Sequence, residues 1–195
     1  MGQKSQIYVR QNTKEGKHFL VARYFHWNYG ERMISRARYT MEWIKEYRPY
    51  FYIWEDCINR KKLEQIINVN FDMKDIVLSS DIIDCFSDDY KMSFNDFVFK
   101  RQANNDGKLF IDIYPNTIKY CFLNSEADIN KIMDAEQYMH WDSEDWENDE
   151  YIDKEQKTFC KRNIRIINKT AKLMTKSEIQ DFLTCEYEEE PKPLF

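Results

Sequence analysis

The sequence predicts an α+β fold: an antiparallel sheet of about five strands, packed with several helices that cover mainly one face. Three observations carry this. Scarce glycines fall between runs rich in β-branched and aromatic residues. Apolar residues elsewhere recur at helical spacing. Strand-like and helix-like segments are grouped rather than strictly alternating, as they would be in a parallel α/β fold. With only four glycines in 195 residues, each marks a place where the backbone needs freedom.

Gly16 lies between strand-like residues 6–11 and 17–26, which predicts an N-terminal hairpin with its loop at 12–16. Gly107 follows Asn104-Asn105-Asp106, and Asp-Gly is a strong hairpin-turn signal. It joins 94–102 to 108–114, and Pro115-Asn116 turns the chain into 117–123, which predicts a central three-strand meander. Gly30 follows Trp27-Asn28-Tyr29 and marks a strand-to-helix turn. From Glu31 to about Tyr47, Met33, Ala37, Met41 and Ile44 repeat at helical spacing, and Pro49 is expected to stop that helix. A second helix is expected over 53–68, on Ile53, Cys57, Leu63, Ile66 and Ile67. Residues 71–90 read as partly helical. Asp128 is expected to cap a helix through Ile129, Ile132, Met133, Glu136 and Tyr138. Residues 153–172 form a basic helix with Phe159, Ile164, Ile167 and Ala171 on its apolar side. Thr175-Lys176-Ser177-Glu178 matches a capping box that opens a last short helix. Residues 1–186 therefore read as one domain, followed by a frayed acidic, proline-containing tail over 187–195.

Composition narrows the function classes. Hydrophobic residues make up 43% and aromatics 16% of the chain, which excludes general disorder. Thirty-four acidic against 29 basic residues leave a net charge of −5, unlike the basic excess of a typical nucleic-acid-binding domain. Five dispersed cysteines (Cys57, Cys85, Cys121, Cys160 and Cys185) contain no CxxC pair and read as reduced thiols, so a cytoplasmic location is expected. No signal peptide or transmembrane run is visible, and Gln6 occupies the position where a myristoylation pattern wants Ser or Thr. Abundant Ile, Asn, Lys, Tyr and Phe have AT-rich codons, pointing to a low-GC bacterium or its phages.

Motifs for chemistry are sparse. Three histidines (His18, His26 and His140) share no metal-ligand spacing, and no GxSxG, Walker A or GxGxxG is present. Gly2 occupies the place where an N-terminal nucleophile hydrolase needs Ser, Thr or Cys. The acidic run lacks the glycine that a calcium loop needs for its sharp turn. No metal and no cofactor is expected, and catalysis is the less favoured class.

Three constellations remain. Phe25-His26-Trp27-Asn28-Tyr29-Gly30 ends a strand. There His26 and Asn28, with Arg23, form an alternative pocket for a small molecule or nucleotide, bound or hydrolysed; the plainer reading is a packed sheet corner. Arg32, Arg36, Tyr39 and Trp43 fall on one helical stripe whose residue types suit anion or protein recognition. Internal pairing of these arginines with acids is the plainer reading. The acidic run Asp142, Glu144, Asp145, Glu147, Asp149 and Glu150, with Trp146 embedded, can imitate a row of phosphates, although such runs are usually solvated loops.

Residues 20–30 resemble a motif of small phage and prophage proteins that reads strand, His-Trp-Asp-Gly-Tyr-Pro, helix. His26 and Trp27 match, Asn28 replaces the Asp, and Tyr29-Gly30 inverts the Gly-Tyr order without the proline. The resemblance implies an accessory protein of a mobile element. Joined to the acidic run, it gives the expected function: a protein-binding factor, anti-CRISPR-like, that inhibits a host defence nuclease by occlusion or nucleic-acid mimicry. Its expected partner is another protein, a nucleic-acid-binding effector among the candidates, with no membrane. The second alternative is direct nucleic-acid binding through the basic helix 154–172, with Lys157, Lys161, Arg162, Arg165 and Lys169 on its face.

Overall fold

The computed structural model describes residues 3–51, 60–69, 77–87, 89–101, 104–150 and 152–188. Strands β1 (Lys4–Asn12) and β2 (His18–His26) form the expected hairpin, in register from Lys4 opposite His26 to Asn12 opposite His18. Gly16 turns it at φ +82°. Helix α1 (Gly30–Phe51) buries Met33, Ile34, Ala37, Met41 and Ile44, the predicted face. It runs through Pro49 instead of stopping there.

Helix α2 (Arg60–Asn68) covers the second half of the expected 53–68 helix, while its first part, with Cys57, lies outside the described residues. In the 71–90 stretch, β3 (Ser79–Asp81) pairs antiparallel with β2, and a 3₁₀ turn follows at Ile83–Cys85. Residues 94–101 are helical and do not form the first strand of the predicted meander. Ser93 caps a helical turn, α3 (Phe94–Asp96), by accepting the Asp96 amide, and a π-helical turn, Phe97–Arg101, continues it. The buried run Phe97-Val98-Phe99 has no period that separates strand from helix, and the Ser93 cap decides it.

Strands β4 (Lys108–Ile113) and β5 (Ile118–Leu123) form the remaining hairpin. Asp128 holds only a local turn through the Asn130 amide (2.9 Å), so the expected helix there does not form. Helix α4 (Ala135–Asp142) starts later, at a capping box on Asp134. Helix α5 (Lys154–Thr170) is capped by Asp153, and α6 (Lys176–Thr184) by the predicted Thr175–Glu178 box, with the short β6 (Lys172–Leu173) between them. At the start of the expected frayed tail, Tyr187 donates to the Phe182 carbonyl at 2.5 Å and Glu188 to that of His18 at 2.8 Å. Residues 189–195 lie outside the described residues.

The sheet is mixed, with six strands in the order β3-β2-β1-β4-β5-β6. Two of its joints, β1–β4 and β5–β6, are parallel, which corrects the antiparallel expectation. Turn signals reveal only pairings between sequence neighbours; β1 and β4 meet after about a hundred residues of intervening chain. Both faces are covered. On one, Ile7, Val9, Leu109 and Ile111 join α1 and α5 through Cys160, Ile164 and Ile167. On the other, Tyr8, Phe110 and Leu123 join Phe97–Phe99 and α6 through Ile179 and Phe182. No helix among the described residues is long and apolar enough to cross a membrane.

Candidate functional site

Central strand β1 is buried from Ser5 to Asn12 although five of its residues are polar or charged, so partners must be supplied inside. At its C-terminal end, Arg10 grips Asp112 of β4 with two hydrogen bonds (2.8 and 2.7 Å) and reaches Asp181 of α6 at 2.8 Å. Its guanidinium lies 4.8 Å from the Phe182 ring centre. Burial opposes the charge, but the bonds and charge of Asp112 outweigh it and raise the Arg10 pKa. Asn12 donates to Asp112 (2.6 Å) and bonds the His18 ring (2.7 Å). This network is saturated and reads as structural.

The other end of the sheet carries an acidic cluster. Asp106, only 5% exposed, precedes β4; the Gln3 amide donates to both its carboxylate oxygens, to the second at 2.9 Å. Burial pushes its pKa up to about 6, against the pull of the Lys4 backbone amide. Asp142, at the end of α4, accepts the backbone amide of Gly30 at the start of α1. Burial first, then the negative charges of Asp106 and Glu31, push Asp142 up to about 7 despite that bond. The Tyr138 hydroxyl donates to the Asp106 carbonyl at 2.8 Å. Beside the cluster, Trp27 is 51% exposed and held at φ +62°, a region costing about 1–3 kcal/mol for a bulky residue. Its amide donates to the Gln3 carbonyl (2.9 Å), and its own carbonyl accepts from Arg32 (3.1 Å). Two carboxyls whose pKa values burial raises, beside an exposed strained tryptophan, can exchange a proton or bind a cationic group. Nothing in the sequence singled out Asp106, which reads as an ordinary turn residue.

The sequence-derived candidates fall in separate places. Asn28 is buried and bridges Ser5 (3.1 Å) to Arg36 (2.9 Å), whereas His26 stands edge-on to Tyr24 on the opposite face of the strand end. Arg23 turns to Ser79 (2.8 Å) and Asp81 (3.5 Å). These three do not converge on one pocket. The arginine stripe is also divided. Arg36 is 1% exposed, lies 4.5 Å from the Phe25 ring centre and donates to the Ile67 and Val69 carbonyls; burial pushes its pKa down to about 9. It is a tie between α1, α2 and β2, out of reach of a docking partner. Arg32, Tyr39 and Trp43 are half-buried, and Trp43 packs against the core and stacks on Tyr47. Arg36 is covered because the end of α2 and Phe25 of β2 close over it.

The acidic run stays together. Trp146 is 2% exposed and packs into the core, with Lys161 of α5 at 5.9 Å from its ring, and Glu147 pairs with Lys161 at 3.0 Å. A succession of tight turns holds the segment. Glu144, Asp145, Glu147 and Glu150 are exposed, Asp149 is half-buried, and Asp142 belongs to the carboxyl cluster. The run is thus a ridge fixed at its middle. Among the described residues no group of three or more His, Cys, Asp or Glu is placed to hold a metal ion. No family model, no curated protein and no solved structure matches the chain.

Proposed function

We propose that this protein works by binding another protein, presenting its acidic ridge to a basic, nucleic-acid-binding groove, as a mobile-element factor that occludes a defence nuclease would. The observation that supports this reading is the burial of Trp146 beneath exposed Glu144, Asp145, Glu147 and Glu150. A free acidic loop loses conformational entropy on binding, whereas an anchored one has lost most of it on folding. Fixed carboxylates also attract a basic partner from a distance and raise its association rate.

The test measures inhibition of nucleic-acid cleavage by a panel of RNA-guided nucleases, with and without substitution of the four exposed acids by Gln or Asn. Inhibition by the native chain that weakens at least tenfold in the neutralised variant, and weakens with salt, supports the reading. Trp146→Ala is expected to weaken it too, by freeing the ridge. Native-level inhibition by the neutralised variant rules out the ridge as the contact, and no inhibition across the panel rules out nuclease occlusion.

A further inference from the structure

Helix α5 carries Lys154, Lys157, Lys161, Arg162, Arg165 and Lys169 against one acid, Glu155. At about 100° per residue the six cations span about 140° of arc, and they extend over roughly 22 Å of helix. All but the half-buried Lys157 are exposed. Among the described residues only Lys161 has a carboxylate partner, Glu147 of the ridge. The ridge is similarly unspent: Glu144, Asp145 and Glu150 make no ion pair among the described residues. Cations and anions without further ion pairs among the described residues therefore adjoin one another at the Glu147–Lys161 pair.

We propose that this composite face binds a second copy of the chain, the ridge of each protomer lying on the α5 cations of the other about a two-fold axis. An isologous contact needs a self-complementary surface, and adjacent strips of opposite sign provide one. A nucleic acid is the poorer fit, since a polyanion along α5 would also run beside Glu144, Asp145 and Glu147, on a chain of net charge −5. The inference stands independently of the proposed nuclease partner. If both hold, dimerisation competes for the ridge.

The experiment is analytical ultracentrifugation of the full chain up to about 100 μM, at about 50 mM and about 500 mM salt. The native protein is expected to dimerise at low salt and dissociate at high salt. Arg165→Glu/Lys169→Glu and Glu144→Lys/Asp145→Lys, all at exposed positions, are each expected to be monomeric with unchanged melting curves. Mixed together they regain a dimer, because one ridge–helix contact keeps its native charges and the other is restored with its signs exchanged. Should the helix pair unfold, Lys154→Glu/Arg162→Glu replaces it. A monomeric native chain at low salt overturns the proposal, and so does a mixture that stays monomeric. A monomer that shifts a nucleic-acid duplex, with the shift lost in the helix variant, overturns it in favour of nucleic-acid binding.

Discussion

Replacing Asp142 by Asn tests whether burial, with the charges of Asp106 and Glu31, penalises the ionised Asp142 carboxyl. The amide oxygen can still accept the Gly30 amide, so the start of α1 keeps its cap, while the negative charge facing Asp106 and Glu31 is gone. A carboxyl raised from 3.8 to about 7 binds its proton more tightly folded than unfolded. The contribution of Asp142 to stability is therefore greatest below pH 3.8, falls as pH rises towards 7, and is level above it. The full rise corresponds to about 4 kcal/mol, at about 1.36 kcal/mol for each pH unit. Asp142 is only partly buried, and screening reduces this to about 2 kcal/mol. Urea unfolding at pH 4, 6 and 8 is the assay. Asp142→Asn is expected to exceed the native chain by about 2 kcal/mol at pH 8, by less at pH 6, and to match it at pH 4. A variant that is less stable at pH 8, or whose advantage is the same at every pH, refutes the penalty on the ionised carboxyl.

Two further substitutions probe the interior. Arg10→Met leaves Asp112, fully buried, without its bidentate partner, and should cost about 3–5 kcal/mol in denaturant unfolding; adding Asp112→Leu should recover a large part of that loss. Gly107→Ala is expected to destabilise by about 2 kcal/mol or more, because φ is +86° and a Cβ would sit 2.9 Å from the Leu123 carbonyl oxygen and 3.0 Å from the Trp141 ring. Gly16→Ala, with φ +82° but nothing within 4 Å, should cost about 1 kcal/mol, and equal losses at the two glycines would remove the steric part of this argument.

The readable parts of the sequence were those governed by local chemistry. The Gly16 hairpin, the apolar repeat of α1 and the capping box at Thr175 each depend on residues within a few positions of one another. What escaped depends on distant residues. The β1–β4 pairing joins Gln6 to Lys108, and no turn announces it. The stripe Arg32-Arg36-Tyr39-Trp43 is periodic enough to suggest a surface, yet whether Arg36 faces water is decided by α2 carbonyls some thirty residues away. The acidic run was visible as composition. That it is fixed at Trp146 required α5 beneath it.

Burial of β1 on both faces explains why charge collects where it does. A strand in the middle of a doubly covered sheet can keep Arg10 and its neighbouring polar residues only by pairing them completely, and Asp112, Asp181, Asn12 and His18 perform that task at one end. Arg10 and Asp112 neutralise each other inside, while Asp181, its side chain 60% exposed, closes the network at the surface. The other strand end is less complete. Asp106 and Asp142 lie there with backbone and amide donors, and burial raises the pKa of each. Helix α5 and the ridge before it carry exposed charge of opposite sign and are joined at the Glu147–Lys161 pair. If Trp146 is the restraint, Trp146→Ala should let ridge acids reach α5 cations within the same chain, so one buried aromatic keeps the two charged strips available to a partner.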